Sequence, residues 1–270
     1  MKIRLGVVLA GMAAAAAVAV SAASGASTPA RSGTATASKI VFCSDTTYPP
    51  AEYLQGSKAI GFDVEIAQAI AKSLGASAEI KTTGFDVIIP SLLAKKCDAI
   101  VSSLTDNAER RKQVDFADYL TVGESLMVKK GNPEHITGLG SLSGKSVAVE
   151  ASTTEKADLD AQNKIFDKQH KPKITIKIFP SDTSAAAALQ TGKVSAYFAD
   201  ATPVLYYIKQ TGGKFETGGP QIKTAPEGIA TRKGDPLGGK IKTAISKLYA
   251  NGTIQKILAK WGVGQFALKK

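Results

Sequence analysis

The chain has 270 residues, 44% hydrophobic, 21% charged and 6% aromatic, which is ample material for one or two packed cores and excludes a disordered or fibrous class. Its formal charge of +11 raises nucleic acid as a partner. The lysines are scattered, however, and no basic block carries interleaved aromatics, so a solvated basic surface and no nucleic-acid partner are expected.

The chain opens with the basic tetrad Met1-Lys2-Ile3-Arg4, an uncharged apolar run from Leu5 to Val20, and small residues through Ser24. That is the layout of a secretory signal peptide, assigned here to residues 1–24. The competing reading is a membrane anchor, because the apolar run approaches the roughly 17–25 residues that span a bilayer, but small residues follow it directly and no such run recurs. Losing Lys2 and Arg4 leaves the chain basic. Residues 25–38, nearly all Ser, Thr, Ala and Gly, are expected to form a flexible linker. The protein is thus expected outside the cytoplasm, periplasmic or associated with the cell surface.

From Lys39 the pattern reads strand, helix, strand, helix, strand, which implies a parallel sheet with helices on its faces. Ile40 to Ser44 is a strand, and Phe62 to Leu74 places apolar residues at helical spacing up to Gly75. Ala78 to Thr82 is a strand, Phe85 to Lys96 a helix and Asp98 to Ser102 a strand. The same rhythm returns in Lys145 to Glu150, Thr153 to Lys168, Ile174 to Phe179, Thr183 to Gln190 and Val194 to Ala199. Two similar α/β lobes follow from this repetition. The tail, Leu237 to Trp261, is helical with a break at Asn251-Gly252 and is expected to pack on the first lobe. The chain then crosses twice, with residues 39–122 and 226–270 in lobe 1 and residues 123–225 in lobe 2. In such folds ligands lie at the carboxyl ends of the strands.

Export makes a disulfide between Cys43 and Cys97 chemically accessible. Placing Cys43 at the exit of one strand and Cys97 at the entry of its neighbour offsets them by about four residues at roughly 3.3 Å each. That exceeds the reach of a disulfide, so free buried thiols are expected. His135 and His170 lack ligand spacing, and neither a phosphate loop nor a Gly-x-Ser-x-Gly elbow is present, so no metal, cofactor or catalytic residue is assigned.

Chemistry-bearing residues gather at the expected strand ends. They are Asp45 and Tyr48 in Asp45-Thr46-Thr47-Tyr48-Pro49-Pro50, Phe85 after Gly84, Ser102-Ser103-Leu104-Thr105 leading to Arg110, Glu150 through Thr153 and Thr154, and Asp200. Singly, the hydroxyls also read as helix caps and the arginine as a solvated helix face. Together they supply both halves of a trap for a zwitterion. Arg110 with Thr105, Thr153 and Thr154 suits a carboxylate, Asp200 with Ser103 suits an ammonium, and Tyr48 and Phe85 suit the walls.

Several landmarks occur in order: Ser44 through Pro50, Gly61-Phe62-Asp63, Ile89-Pro90-Ser91-Leu92, Asp98-Ala99-Ile100 through Arg110, Val114-Asp115-Phe116 and Lys260-Trp261-Gly262. From Lys39 to Trp261 the chain resembles the bacterial extracellular solute-binding proteins of family 3, the polar amino-acid receptors of ABC importers, and especially the histidine and lysine-arginine-ornithine binding proteins. The resemblance implies a type II periplasmic binding fold, two α/β lobes joined by a two-strand hinge, acting as a monomer that hands a free amino acid to a membrane permease. It implies that Arg110, Thr105 and Thr153 hold the α-carboxylate, and that Asp200 and Ser103 hold the α-ammonium. Tyr48 and Phe85 match the aromatic walls, and Asp45 matches the acid that meets a cationic side chain. Glu150 stands where relatives often carry an apolar or basic residue, and with Asp45 it favours arginine, lysine, ornithine or histidine. The alternative is an exported dehydratase of the cyclohexadienyl type, for which Glu150 is the one candidate general acid.

Overall fold

The computed structural model describes residues 38–269, so the expected signal peptide and all of the expected linker but Ser38 lie outside the described residues. The chain enters through β1 (Ser38–Ser44) and makes a small antiparallel sheet of β2 (Thr47–Tyr48), β3 (Glu52–Gln55) and β4 (Lys58–Ile60). Then come α1 (Phe62–Ser73), β5 (Ala76–Thr82), α2 (Ile88–Leu93), β6 (Ala99–Ile100), α3 (Ala108–Arg111) and the long β7 (Val114–Lys129). The second half runs through β8 (Ser146–Glu150), α4 (Thr154–Lys168), β9 (Thr175–Phe179), α5 (Asp182–Gln190), β10 (Ala196–Asp200), α6 (Ala201–Gln210) and β11 (Phe215–Thr217). Finally β12 (Ile222–Arg232) returns to the first half, and α7 (Pro236–Ala250) and α8 (Thr253–Lys260) close the chain.

The main sheet has nine strands in the order β5-β1-β6-β12-β7-β10-β8-β9, with β11 on β7. Within it β5-β1-β6 and β9-β8-β10 are two parallel units of the same order. They are joined by β7 and β12, which pair antiparallel from Val114↔Arg232 to Glu124↔Ile222, with register breaks between Ile222 and Ala225 and between Glu227 and Gly228. Each parallel unit carries helices on its faces, which makes two α/β lobes with two strands common to both. No helix among the described residues is long and apolar enough to cross a membrane.

Helix α1 forms because Ile66, Ala67, Ile70 and Ala71 recur on one face and bury fully against Phe42 and the tail residues Ile241 and Leu258. Burying each large aliphatic side chain contributes roughly 1.5–3 kcal/mol. Its entry depends on Gly61, whose φ is +135° and where a Cβ would lie 2.0 Å from the Ala51 carbonyl oxygen. The tail packs on the first lobe as expected, with Asp235 accepting from the Leu237 amide and Pro236 opening α7, and left-handed Gly252 separating α7 from α8. Trp261 meets Tyr53 edge-on in the small sheet of the first half, at 6.2 Å between ring centroids.

Three expectations are corrected. The helix read over 85–96 is a 3₁₀ turn at 85–87 followed by α2, which stops where Lys95 takes a φ of +58°. The strand read over 98–102 narrows to Ala99–Ile100. Cys43 and Cys97 form a disulfide with their Cα atoms 5.7 Å apart and no free cysteine remains among the described residues. The expected offset assumed a straight strand. Instead the chain bends through residues 96–98, carrying Cys97 over the sheet face where Cys43, Ile88, Leu92 and Ile100 pack together.

Candidate functional site

Four strands deliver the site. β1 leads into Asp45 and β6 into Ser102 and Ser103, while β8 ends at Glu150 and β10 at Asp200, so the carboxyl ends of both parallel units face one cavity. Its lining brings together every residue expected from the sequence: Asp45, Tyr48, Phe85, Ser102, Ser103, Thr105, Arg110, Glu150, Thr153, Thr154 and Asp200. Glu155 joins them, around a cavity of only about 10 Å³.

Arg110 is the cation of the site. Asn107 caps α3 by accepting from the Arg110 amide at 2.9 Å, which fixes the start of that turn. The guanidinium is buried, donates to the Thr105 carbonyl at 2.9 Å and to the Ser152 carbonyl at 3.4 Å, and lies 5.4 Å from the centre of the Phe85 ring. Burial lowers its pKa, and the nearby Glu155, Asp200 and Glu227 oppose that shift. It therefore stays charged and is aimed by neutral carbonyls, with its remaining N–H groups available to a carboxylate.

The floor is a second layer of acids. Ser102 donates to Glu52 Oε1 at 2.7 Å and accepts from the Asp45 amide at 2.9 Å. Asp63 accepts from the Ser103 amide at 2.7 Å and from Tyr119. Ser103 and Ser152 both take a positive φ, +36° and +65°, one on each side of the cavity. A side-chain-bearing residue holds such a conformation at a cost of about 1–3 kcal/mol, a strain typical of binding sites.

Asp45 accepts the amides of Thr47 at 3.1 Å and Phe85 at 3.0 Å and lines the cavity together with Glu150. Tyr48 donates to Asp200 at 2.8 Å, and Asp200 is buried, as are Glu155 and Glu227. Burial first, and acidic neighbours second, push Glu150 up to about 11 and Glu155 to about 8, while Asp45 and Asp200 are raised by burial against hydrogen bonds that lower them. Atoms buried here without a hydrogen-bond partner are Ser103 Oγ, Glu150 Oε1, Glu155 Oε1 and both carboxyl oxygens of Glu227. Every one of them can accept, so the cavity asks for N–H donors and positive charge.

Glu155 and Glu227 were not expected. An acid in the first turn of a helix reads as an ordinary partner of the helix dipole, which hid Glu155. Glu227 sits in Pro226-Glu227-Gly228, which reads as a turn, and only the pairing of β12 with β7 reveals that it is buried. Trp261 lies outside the cavity.

The sequence model for bacterial extracellular solute-binding proteins, family 3, matches residues 40–264. The chain is 32% identical over 219 residues to the L-cystine-binding protein TcyJ of Escherichia coli (strain K12), covering 80% of this chain and 79% of that protein. Among solved structures, an ancestral arginine-binding protein bound to arginine superposes with a TM-score of 0.76 and 34% identity, covering 83% of this chain and 97% of that one. The ancestral amino acid-binding protein AncCDT-1, a precursor of cyclohexadienyl dehydratase, gives a TM-score of 0.72 and 30% identity over 83% and 94%.

Proposed function

The chain belongs to the bacterial extracellular solute-binding proteins, family 3, and on that footing we propose that it is the receptor of an amino-acid importer that encloses a free amino acid with a cationic side chain. The observation that carries this reading is the charge inventory of the cavity. One buried guanidinium, Arg110, faces a larger set of carboxyls in which every unpartnered atom accepts hydrogen bonds. An α-carboxylate on Arg110 and Thr153, an α-ammonium on Asp200 and Ser103, and a side-chain cation between Asp45 and Glu150 would satisfy both signs. The side chain would lie between Tyr48 and Phe85. Ser102 would act by holding Asp45, and Thr105 and Thr154, 3.4 Å apart across the cavity, would close its edge.

In this reading residues 39–122 and 226–270 move as one lobe and 123–225 as the other, bending at the register breaks of β7 and β12. The protein works as a monomer, exported, and delivers its cargo to a membrane permease. Binding then follows from the difference in free energy between open and closed forms.

Titration calorimetry against the common amino acids tests the reading. Tight binding of arginine, lysine, ornithine or histidine is expected. Tight glutamine or glutamate binding without any of these overturns the cationic assignment, and no heat with any amino acid overturns the receptor itself. A dehydratase on the same fold is the second reading, favoured by the protonated Glu150 carboxyl in the cavity. Product formation from prephenate or arogenate would establish it, since a receptor leaves both unchanged.

A further inference from the structure

Asp45 follows β1 in one lobe and Glu150 ends β8 in the other, and both buried acids, 3% and 4% exposed, line the same cavity. Two ionised carboxylates buried in one cavity repel each other, and a proton held between them removes that repulsion. We propose that this pair is a proton-bridged latch: one proton joins Asp45 to Glu150 across the cleft, and the cationic side chain of the ligand takes its place and expels it to solvent. The inference rests on the amino-acid-receptor reading above.

The proton has a defined home. Asp45 already accepts two amides, from Thr47 and Phe85, which favour its ionised form. Glu150 Oε1 has no partner at all. The proton therefore sits on Glu150 and is donated to Asp45, in agreement with the stronger upward push on Glu150.

The surroundings hold it there. The groups that face the pair are Asp182 at the start of α5, Glu155 on α4, Glu52 on β3, Tyr197 on β10 and Tyr207 on α6. All are acidic or neutral. The buried cation, Arg110, is held by the carbonyls of Thr105 and Ser152 and faces Glu155, Asp200 and Glu227 instead.

The exchange balances. Before it, the pair carries one proton and one negative charge. After it, two carboxylates flank one ligand cation, the buried charge is unchanged, and one proton has gone to the buffer. A neutral side chain has nothing to trade and would have to share the space with the proton. The latch thus selects cations by substitution, and affinity for arginine should rise about tenfold per pH unit while Glu150 holds the proton in the free protein.

The experiment is calorimetric titration of arginine near neutral pH in buffers of differing protonation heat, which counts protons released. Wild type is expected to release about one more proton than Glu150→Gln, whose amide N–H can bond Asp45 with nothing to lose. Arginine binding with equal proton counts in both overturns the latch and leaves the receptor reading intact. Absence of binding by every amino acid overturns both. Should the variant fail to fold, infrared difference spectra of the wild type decide: arginine must remove a protonated-carboxyl band, and a spectrum without that loss overturns the latch.

Discussion

Tyr48 and Asp200 exchange hydrogen bonds in both directions, the phenol donating to Asp200 Oδ2 at 2.8 Å and accepting from the Asp200 amide at 3.1 Å. The two residues are 152 positions apart, one in the small sheet beside β1 and the other at the end of β10, so a single hydroxyl ties one lobe to the other. Tyr48→Phe keeps the ring and removes this tie, leaving a buried amide without an acceptor at a cost of about 1–3 kcal/mol. Calorimetry with arginine should show affinity falling by roughly ten- to a hundredfold. Unchanged affinity would mean that the bond does not contribute to the enclosed form.

Arg110 is the cation that balances Glu155, Asp200 and Glu227. Arg110→Ala removes the proposed partner of the ligand's carboxylate and leaves those acids opposed only by each other, a loss of about 3–5 kcal/mol for a buried charge pair. Arginine binding should fall by at least a hundredfold. Arg110→Lys should not restore it, because an ammonium cannot reproduce a fork held by the Thr105 and Ser152 carbonyls. Full rescue by lysine would show that only charge, and not fork geometry, is needed.

The raised carboxyls set the direction of the pH dependence. Asp63 lies near 6, Asp182 near 7 and Glu155 near 8, all above their ordinary values because burial penalises the ionised form. The folded protein therefore holds protons that the unfolded chain would release. The stability so contributed is complete below the ordinary carboxylate range and is lost as pH rises through these values. Thermal unfolding without ligand should show the midpoint falling from about pH 5 to about pH 9, with the steepest part between roughly 5 and 6, where all three carboxyls hold their protons only in the folded protein. Saturating arginine should offset part of this fall, since its cations do the work of the protons. A midpoint that climbs across this interval would contradict the buried-acid account.

The repeating α/β units were legible because their apolar runs alternate with Gly-terminated helices, as in Phe62 to Gly75. The strands β7 and β12 were not, although they join the lobes. β7 carries Asp115, Asp118 and Glu124 within its run, and β12 carries Lys223, Pro226 and Glu227. Glu124 and Glu227 are buried acids of the site region, so they break the very alternation by which a strand is recognised. The site was readable because strand ends announce themselves by polar residues after apolar ones. Its hidden members, Glu155 and Glu227, occupy places where an acid has an ordinary explanation.

Gly61 tests the floor of the site from outside the cavity. Its φ of +135° is open to glycine and poor for other residues, and a Cβ would sit 2.0 Å from the Ala51 oxygen, against backbone that cannot swing aside. Gly61 precedes α1, which carries Asp63, the acceptor of the Ser103 amide. Gly61→Ala should lower both the unfolding midpoint and arginine affinity, the first by several degrees for a loss of about 1–3 kcal/mol. An alanine variant with an unchanged midpoint would show that this backbone can relax.

The disulfide between Cys43 and Cys97 closes a loop with a sequence separation of 54 residues, which includes Asp45, Tyr48, Phe85 and the Glu52 and Asp63 floor. Loop-closure entropy for a span of that length is worth about 4 kcal/mol. The double replacement of Cys43 and Cys97 by alanine should therefore lower the unfolding midpoint by roughly 8–16 °C for a domain of this size. Both cysteines are buried, so reductant should act slowly on the folded protein and quickly once it opens. Arginine affinity, measured well below the unfolding range, should fall little, because neither sulfur lines the cavity. A midpoint shift under about 2 °C would mean that the bond adds nothing beyond the packing of Ile88, Leu92 and Ile100 around it.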